Sequence, residues 1–178
     1  MRTVAIVGLA AALAACTHAD AEPAGGGRYM AGHFRAEAVL HDAAGAEVGT
    51  AVAQEHDGAL RVTVEVKGLP PGMHGAHIHA VGKCEAPGFT TAGGHWNPAM
   101  KQHGSMNPMG AHMGDLPNVT VGTNGTGKLA FTIPAEKLEN LLDEDGAAIV
   151  IHATADDLKT DPSGNSGARI ACGVFAAK

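Results

Sequence analysis

The sequence has few aromatic residues: its 178 residues include four Phe, one Tyr and one Trp. Glycine is abundant by comparison, with 25 residues. This composition favours tight turns and strands of small residues over long helices. The length suits one domain with a terminal extension and is sufficient to bury a full hydrophobic core.

Positive charge is also scarce. Lys and Arg total 12 against 18 Asp and Glu, so the formal net charge is −6, and the basic residues form no cluster. A nucleic-acid partner requires clustered basic side chains to neutralise phosphates. The sequence therefore predicts no nucleic-acid partner.

The apolar run near the start, residues 4–15, is too short to span a bilayer. It follows Arg2 and ends in Leu13-Ala14-Ala15-Cys16, which resembles the lipobox of bacterial lipoproteins. We therefore predict a signal peptide over 1–15, a tether over 16–28 lipidated at Cys16, and a periplasmic or cell-envelope domain over 29–178. This domain would touch the membrane only through the lipid anchor. An ordinary secretory signal, with Cys16 incidental, is the alternative.

Cysteine is limited to three residues, and an odd number in an exported protein needs an explanation. Lipidation would account for Cys16. Cys84 and Cys172 then remain to pair in an oxidising compartment.

Short runs with alternating apolar residues dominate the chain from Tyr29 onward. In 60–67, Leu and Val alternate with Arg, Thr, Glu and Lys, as in a strand with one buried face. Eight strands are predicted, at 30–41, 46–55, 60–67, 77–80, 119–121, 129–133, 147–152 and 168–174. One short helix is expected within 134–143. This pattern predicts an all-β antiparallel sandwich or flattened barrel, with two long functional loops at 81–118 and 153–167.

Histidine is the unusual component, with 11 residues. His77 and His79 are two apart on a predicted strand, so their side chains project from one face. His152 ends another predicted strand and could meet them. An all-imidazole donor set suits copper.

A second group lies within the first long loop: His95, His103, His112 and Asp115. Three imidazoles and a carboxylate form a closed tetrahedral set typical of zinc. Four further histidines are interpreted as ordinary surface or structural residues: His18, His33, His41 and His56.

Three segments resemble the copper–zinc superoxide dismutase family. Residues 72–79 resemble its copper-binding signature, 94–115 its zinc loop and 164–174 its second signature. The likeness runs from about Tyr29 to Ala176. It implies an eight-stranded antiparallel Greek-key flattened barrel and an oxidoreductase that converts superoxide to dioxygen and hydrogen peroxide.

The resemblance also implies roles for individual residues. Copper would be bound by His77, His79, His95 and His152. Zinc would be bound by His95, His103, His112 and Asp115, so that His95 bridges both metals and takes part in catalysis. Arg169 would guide the anion beside copper. The remaining implied roles are a Cys84–Cys172 disulfide, an Asp156 carboxylate linking copper and zinc ligands, and a bracing role for His74.

Two alternatives stay open at this point. A non-catalytic copper or zinc binding or delivery protein could use the same scaffold, although storage needs neither the bridging His95 nor Arg169. A copper-only dismutase would typically lack the zinc ligands. The sequence leaves a monomer and a homodimer both open.

The zinc loop also contains four methionines: Met100, Met106, Met109 and Met113. Thioethers could capture Cu(I), or the side chains could fill gaps in an irregular loop. From the sequence, gap filling is the favoured interpretation.

Overall fold

The computed structural model of the chain describes Met1 and residues 35–178. The predicted signal peptide, the tether and the lipidation site Cys16 lie outside the described residues. The same holds for the start of the first predicted strand, and for His18 and His33. Within the described part of the chain, no helix is long and apolar enough to cross a bilayer.

Strands make up nearly all the regular structure of residues 35–178. They are β1 (Arg35–Asp42), β2 (Glu47–His56), β3 (Ala59–Val66), β4 (Gly72–His74), β5 (Ala76–His79), β6 (Val119–Val121), β7 (Gly127–Pro134), β8 (Ala148–His152), β9 (Arg169–Val174) and β10 (Ala176–Ala177). A 3₁₀ turn at Thr90–Ala92 and a helix, α1 (Leu138–Leu141), are the helical pieces.

The strands form one antiparallel sheet in the order β4-β6-β7-β3-β2-β1-β9-β8-β5, with β10 paired to β1. Its two edge strands, β4 and β5, are separated in the chain by Gly75 alone. One chain segment therefore supplies both edges and brings the sheet nearly to closure as a barrel. Neighbours distant in sequence, such as β1 and β9, reflect Greek-key crossovers. The predicted all-β antiparallel barrel is confirmed.

Gly75 lies where the chain passes from one edge to the other. Its amide donates to the Thr154 carbonyl oxygen at 2.9 Å, and its own carbonyl accepts from the His152 amide at 2.8 Å. A Cβ here would come within 2.9 Å of the Ser166 Cβ. A side chain at this position would therefore disturb the loop that follows β8.

The hydrophobic core follows the predicted alternation. In β3, Leu60, Val62, Val64 and Val66 are buried, whereas Arg61 and Glu65 are exposed. The structure adds β4 and β10, which are too short to show alternation, and α1 covers only four residues of the expected helical segment.

Strand β8 is buried on both faces, unlike β3. Ile149 and Ile151 belong to the main core, while Ala148 and Val150 pack in a smaller cluster with Phe89 and others. The second face is covered by the long loop after β5. The outer face of β5 and β8 is thus enclosed by loop residues, which makes a buried polar site possible there.

Candidate metal centre

Strand pairing brings the first three histidines together. In β5, Ile78 points into the core, so His77 and His79 share the opposite face. The antiparallel register places His77 opposite Val150 of β8. His152, two residues beyond Val150, projects from that same face. These three imidazoles are 3% exposed or less.

The long loop returns to β5 and delivers the second group. Isolated antiparallel bridges pair His79 with His95 and His77 with Asp115. Between these contacts the loop buries Trp96 in the core, which anchors it to the barrel. Residues distant in sequence are therefore held beside β5 by backbone hydrogen bonds.

Four histidines form the first cluster, with one donor atom from each lying within 4.8 Å of the others. Within the described residues, the buried side-chain nitrogens that have no hydrogen-bond partner are His77 Nδ1, His79 Nε2, His95 Nε2 and His152 Nε2. Buried polar atoms are normally paired, since an unpaired one costs about 1–3 kcal/mol. The coincidence of all four in one cluster fits a metal ion bound by imidazoles, as copper is.

Hydrogen bonds on the opposite ring nitrogens set the tautomers. His79 Nδ1 donates to the Gly93 carbonyl oxygen at 2.9 Å, and His152 Nδ1 donates to that of Gly167 at 3.1 Å. A carbonyl oxygen only accepts, so each Nδ1 carries the hydrogen and each Nε2 keeps its lone pair. Both lone pairs are thus available for a metal ion.

The second cluster is organised around one carboxylate oxygen. Asp115 Oδ1 lies 2.8 Å from His95 Nδ1, 3.0 Å from His103 Nδ1 and 3.2 Å from His112 Nδ1. The two nitrogens His95 Nδ1 and His112 Nδ1 are 3.3 Å apart. Ligands about 2.0 Å from a tetrahedral zinc would be about 3.3 Å from one another, so the donor set fits this ion.

His95 belongs to both clusters. Its Nε2 is one of the four unpaired nitrogens, and its Nδ1 faces Asp115. One imidazole therefore offers a donor atom to each cluster.

Asp156 forms a second link between the clusters. Its Oδ2 accepts from His77 Nε2 at 2.7 Å, and its Oδ1 accepts from His103 Nε2 at 3.0 Å. Asn118 holds the backbone of Asp156 from both sides: its Oδ1 accepts from the Asp156 amide at 2.7 Å, and its Nδ2 donates to the carbonyl at 2.9 Å. The orientation of both imidazoles thus depends on one buried carboxylate.

Burial and charge act differently on the two clusters. Burial lowers the pKa of His79 to about 2, of His152 to about 3 and of His95 to about 4. Burial also opposes protonation of His103, but hydrogen bonds to the Asp115 and Asp156 carboxylates outweigh it and raise the pKa of His103 to about 9. At neutral pH, His79, His95 and His152 are therefore neutral imidazoles, whereas His103 is held protonated between two carboxylates.

Arg169 lies beside the first cluster. It starts β9, where its register partner is His152. The guanidinium donates to the carbonyl oxygens of Phe89 and Gly93, both at 2.7 Å. Since Gly93 also accepts from His79, one backbone carbonyl ties the arginine to the cluster.

The Cys84–Cys172 disulfide secures the loop that supplies these carbonyls. The bond is present, with Cα atoms 5.6 Å apart, and confirms the predicted pairing. Cys172 lies in β9, three residues after Arg169, and packs in the same small cluster as Phe89. The disulfide therefore fixes residues 84–93 against the strand that carries Arg169.

Three other histidines of residues 35–178 belong to neither cluster. Each ring nitrogen of His74 faces a backbone carbonyl oxygen, that of His152 at 2.8 Å and that of Pro70 at 2.9 Å. His74 thus links the backbone at the end of β8 with the segment before β4. His41, near the end of β1, and His56, the last residue of β2, are both exposed to solvent.

Sequence reasoning missed two polar residues of this centre. One is Asn118, described above. The other is Asp161, whose Oδ1 accepts from the His103 amide at 2.6 Å and so joins the two long loops. Neither residue belongs to a spacing pattern that would identify it. The available signal is a general one: Asn and Asp side chains in loops often form hydrogen bonds with the backbone.

The fold and the two clusters define a β-barrel protein with an all-histidine group and an adjacent histidine–aspartate group, both suited to metal ions. The sequence matches the copper/zinc superoxide dismutase family over residues 47–175. It is 46% identical over 130 residues to the superoxide dismutase-like protein YojM of Bacillus subtilis, covering 70% of this chain and 66% of that relative. It is 38% identical over 151 residues to superoxide dismutase [Cu-Zn] 1 of Aquifex aeolicus, covering 82% of this chain and 89% of that relative.

Among solved structures, the chain is similar to a superoxide dismutase-like protein from Bacillus subtilis. The TM-score is 0.75 at 42% identity, covering 82% of this chain and 99% of that one. The chain belongs to the copper/zinc superoxide dismutase family. Membership makes it an oxidoreductase of the superoxide dismutase class, with copper and zinc as its metals.

The lowered histidine pKa values predict acid sensitivity of the metal-free protein. The folded pKa values of His79, His95 and His152 lie below the ordinary value of 6.5. Their contribution to stability is therefore full above pH 6.5 and is lost as pH falls toward the folded values, because the unfolded chain takes up the protons. The raised pKa of His103 opposes this trend, but three lowered groups outweigh one raised group. Urea unfolding of the disulfide-intact, metal-free protein should therefore show a lower free energy of unfolding at pH 5.5 than at pH 7.0.

A matched pair of variants tests the origin of this decrease. Removing one titrating group, as in His152→Gln, should reduce the average slope between pH 7.0 and 5.5 by about 0.8 kcal/mol per pH unit, because the unfolded histidine is only partly protonated in this range. The exposed-site control His56→Gln should keep the slope. An unchanged slope in His152→Gln would contradict the explanation.

Proposed function

We propose that the protein dismutes superoxide to dioxygen and hydrogen peroxide in the bacterial cell envelope, at a copper site joined to a zinc site through His95. The observation that carries the proposal is the position of His95 in both clusters. Its Nε2 has no hydrogen-bond partner and lies in a cluster with three other unpaired imidazole nitrogens. Its Nδ1 lies 2.8 Å from Asp115 Oδ1. A single imidazole facing two donor sets suits a shared ligand.

The copper ligands in this proposal are His77, His79, His95 and His152, and the zinc ligands are His95, His103, His112 and Asp115. When bound, copper would supply the one-electron redox chemistry of dismutation, and zinc, which is redox-inert, would hold the shared imidazole in place. Asp156 would keep His77 and His103 oriented by accepting a hydrogen bond from each.

Two side chains of the protein would deliver a proton and orient the superoxide anion. Dismutation consumes two protons for every two superoxide ions. His95 Nε2 is positioned to hold one of these protons and deliver it to the departing peroxide, and solvent supplies the other. A guanidinium has five N–H donors, of which Arg169 uses two hydrogens on Phe89 and Gly93. Its remaining donors are available to orient an incoming anion.

The alternative is a non-catalytic copper or zinc binding or delivery protein on the same scaffold. The similarity to a protein named superoxide dismutase-like gives this alternative a specific basis. The presence of both a shared imidazole and a tethered arginine favours the enzyme, since storage requires neither feature.

The first experiment measures metal content and superoxide dismutation on one sample loaded with copper and zinc. The proposal expects one copper and one zinc per chain with rapid activity. Bound metals without activity would favour storage or delivery. Copper without zinc would remove the zinc role of His103, His112 and Asp115.

Replacing His95 should uncouple the two sites. His95→Gln removes a donor from each cluster, so zinc affinity and dismutation should both decrease strongly, whereas the exposed-site control His56→Gln should retain both. Metal analysis and activity are measured on the same preparations. Full activity in His95→Gln would exclude the shared-ligand mechanism.

Replacing Arg169 should affect the anion more than the metals. Loss of a charge-assisted hydrogen bond worth about 1.5–3 kcal/mol should reduce kcat/KM about 10- to 100-fold in Arg169→Ala. Arg169→Lys keeps the charge and should be intermediate, and Arg61→Ala on the exposed face of β3 serves as the control. Unchanged kcat/KM in Arg169→Ala, with normal copper content, would rule out an anion-guiding role.

The envelope location and lipid anchor rest on the amino-terminal sequence. In cells making the full chain, Cys16→Ser should move the protein from the membrane fraction to the soluble periplasmic fraction, because the thiol that carries the lipid is absent. Ala15→Ser, which leaves the cysteine in place, is the matched control. Continued membrane association of Cys16→Ser would show that Cys16 is not the anchor.

A further inference from the structure

Three methionines in the zinc loop are exposed to solvent. The exposed fractions are 91% for Met100, 66% for Met106 and 65% for Met109. Met113, in contrast, packs against the hydrophobic core. Gap filling, the interpretation favoured from the sequence, is therefore correct for Met113 and wrong for the other three. Exposed thioethers in one short segment need another explanation.

The backbone holds the three exposed methionines in one ordered segment. The amide of Gln102, two residues after Met100, donates to the Met109 carbonyl oxygen at 3.1 Å. Asn107 connects the same two parts of the loop. Its Oδ1 accepts from the Met109 amide at 2.9 Å, and its Nδ2 donates to Gln102 Oε1 at 3.1 Å. These contacts keep the two ends of the segment side by side.

Met106 is fixed from the other long loop. Its amide donates to the Leu158 carbonyl oxygen at 2.8 Å, and the neighbouring Asn107 Nδ2 also reaches the Lys159 carbonyl oxygen at 3.3 Å. The backbone is thus constrained on both sides, while the side chains remain in solvent. Methionine is unbranched and has three rotatable bonds, so neighbouring sulfurs can converge on one ion.

The chemistry of the segment selects a soft ion. Residues 100–113 contain no Asp or Glu, so the segment offers no side-chain carboxylate to hard cations such as Mg²⁺ or Ca²⁺. Thioether sulfur is a soft, uncharged ligand that selects Cu(I). His103 of the same loop is separate from this surface, because it is fully buried and its ring nitrogens face Asp115 and Asp156.

We propose that Met100, Met106 and Met109 form a thioether site for a soft monovalent metal ion, Cu(I), on the solvent side of the zinc loop and distinct from both histidine clusters. The site binds the ion without any redox step. It does not depend on the proposed dismutase activity, because a non-catalytic metal protein would use the same ligands.

The test uses Ag(I), a redox-inert probe for Cu(I) sites, added to the full protein loaded with reduced copper and zinc. The ε-methyl NMR signals of the methionines report the ligands directly. One equivalent of Ag(I) should shift the signals of Met100, Met106 and Met109. The signal of Met73, 52% exposed on β4, is the internal control and should stay unchanged. Equal shifts at Met73, or release of copper from the protein, would overturn the proposal.

Affinity measurements on variants complete the test. The triple replacement of Met100, Met106 and Met109 by Leu conserves apolar volume at exposed positions and should weaken Ag(I) binding at least about tenfold. Met73→Leu is the matched control and should bind as the parent protein does. The single variant Met106→Leu should show a partial loss. Parent-like affinity in the triple variant would overturn the proposal.

Discussion

The metal centre depends on the burial of imidazole nitrogens that have no protein partner. Four such atoms face one another on the outer side of the barrel. A few ångströms away, three more imidazole nitrogens crowd a single oxygen of Asp115. Each unpaired buried nitrogen of the first group carries a penalty of about 1–3 kcal/mol, which a cation bound by all four would remove. The rest of the fold maintains this arrangement.

The barrel maintains it through rigid pairing and through loops fixed at several points. Strands β5 and β8 set the spacing of the first three imidazoles by their register. The long loop is anchored by Trp96 in the core and by a disulfide at Cys84. Asp156, held in turn by Asn118, connects the two donor sets. Few of these groups can move independently, which preorganises the site before an ion arrives.

The two donor sets differ in charge although they share an imidazole. In the first, burial keeps His79, His95 and His152 neutral. The second includes the Asp115 carboxylate, whose pKa is held below its usual range because hydrogen bonds from His103 and His95 outweigh the effect of burial. Adjacent sites of different charge suit two ions with different ligand preferences. The exposed methionines offer a third kind of donor, a soft one, away from both.

The sequence by itself determined the fold class, the grouping of the histidines and the disulfide. These depend on local periodicity, such as alternation in β3 or the two-residue spacing of His77 and His79, and on motifs that resemble a family. The tertiary structure decided the closure of the sheet at Gly75, the support of Asp156 by Asn118, and the exposure of Met100. Those features depend on the paths of two long loops across the barrel, and local periodicity carries no information about contacts between residues tens of positions apart.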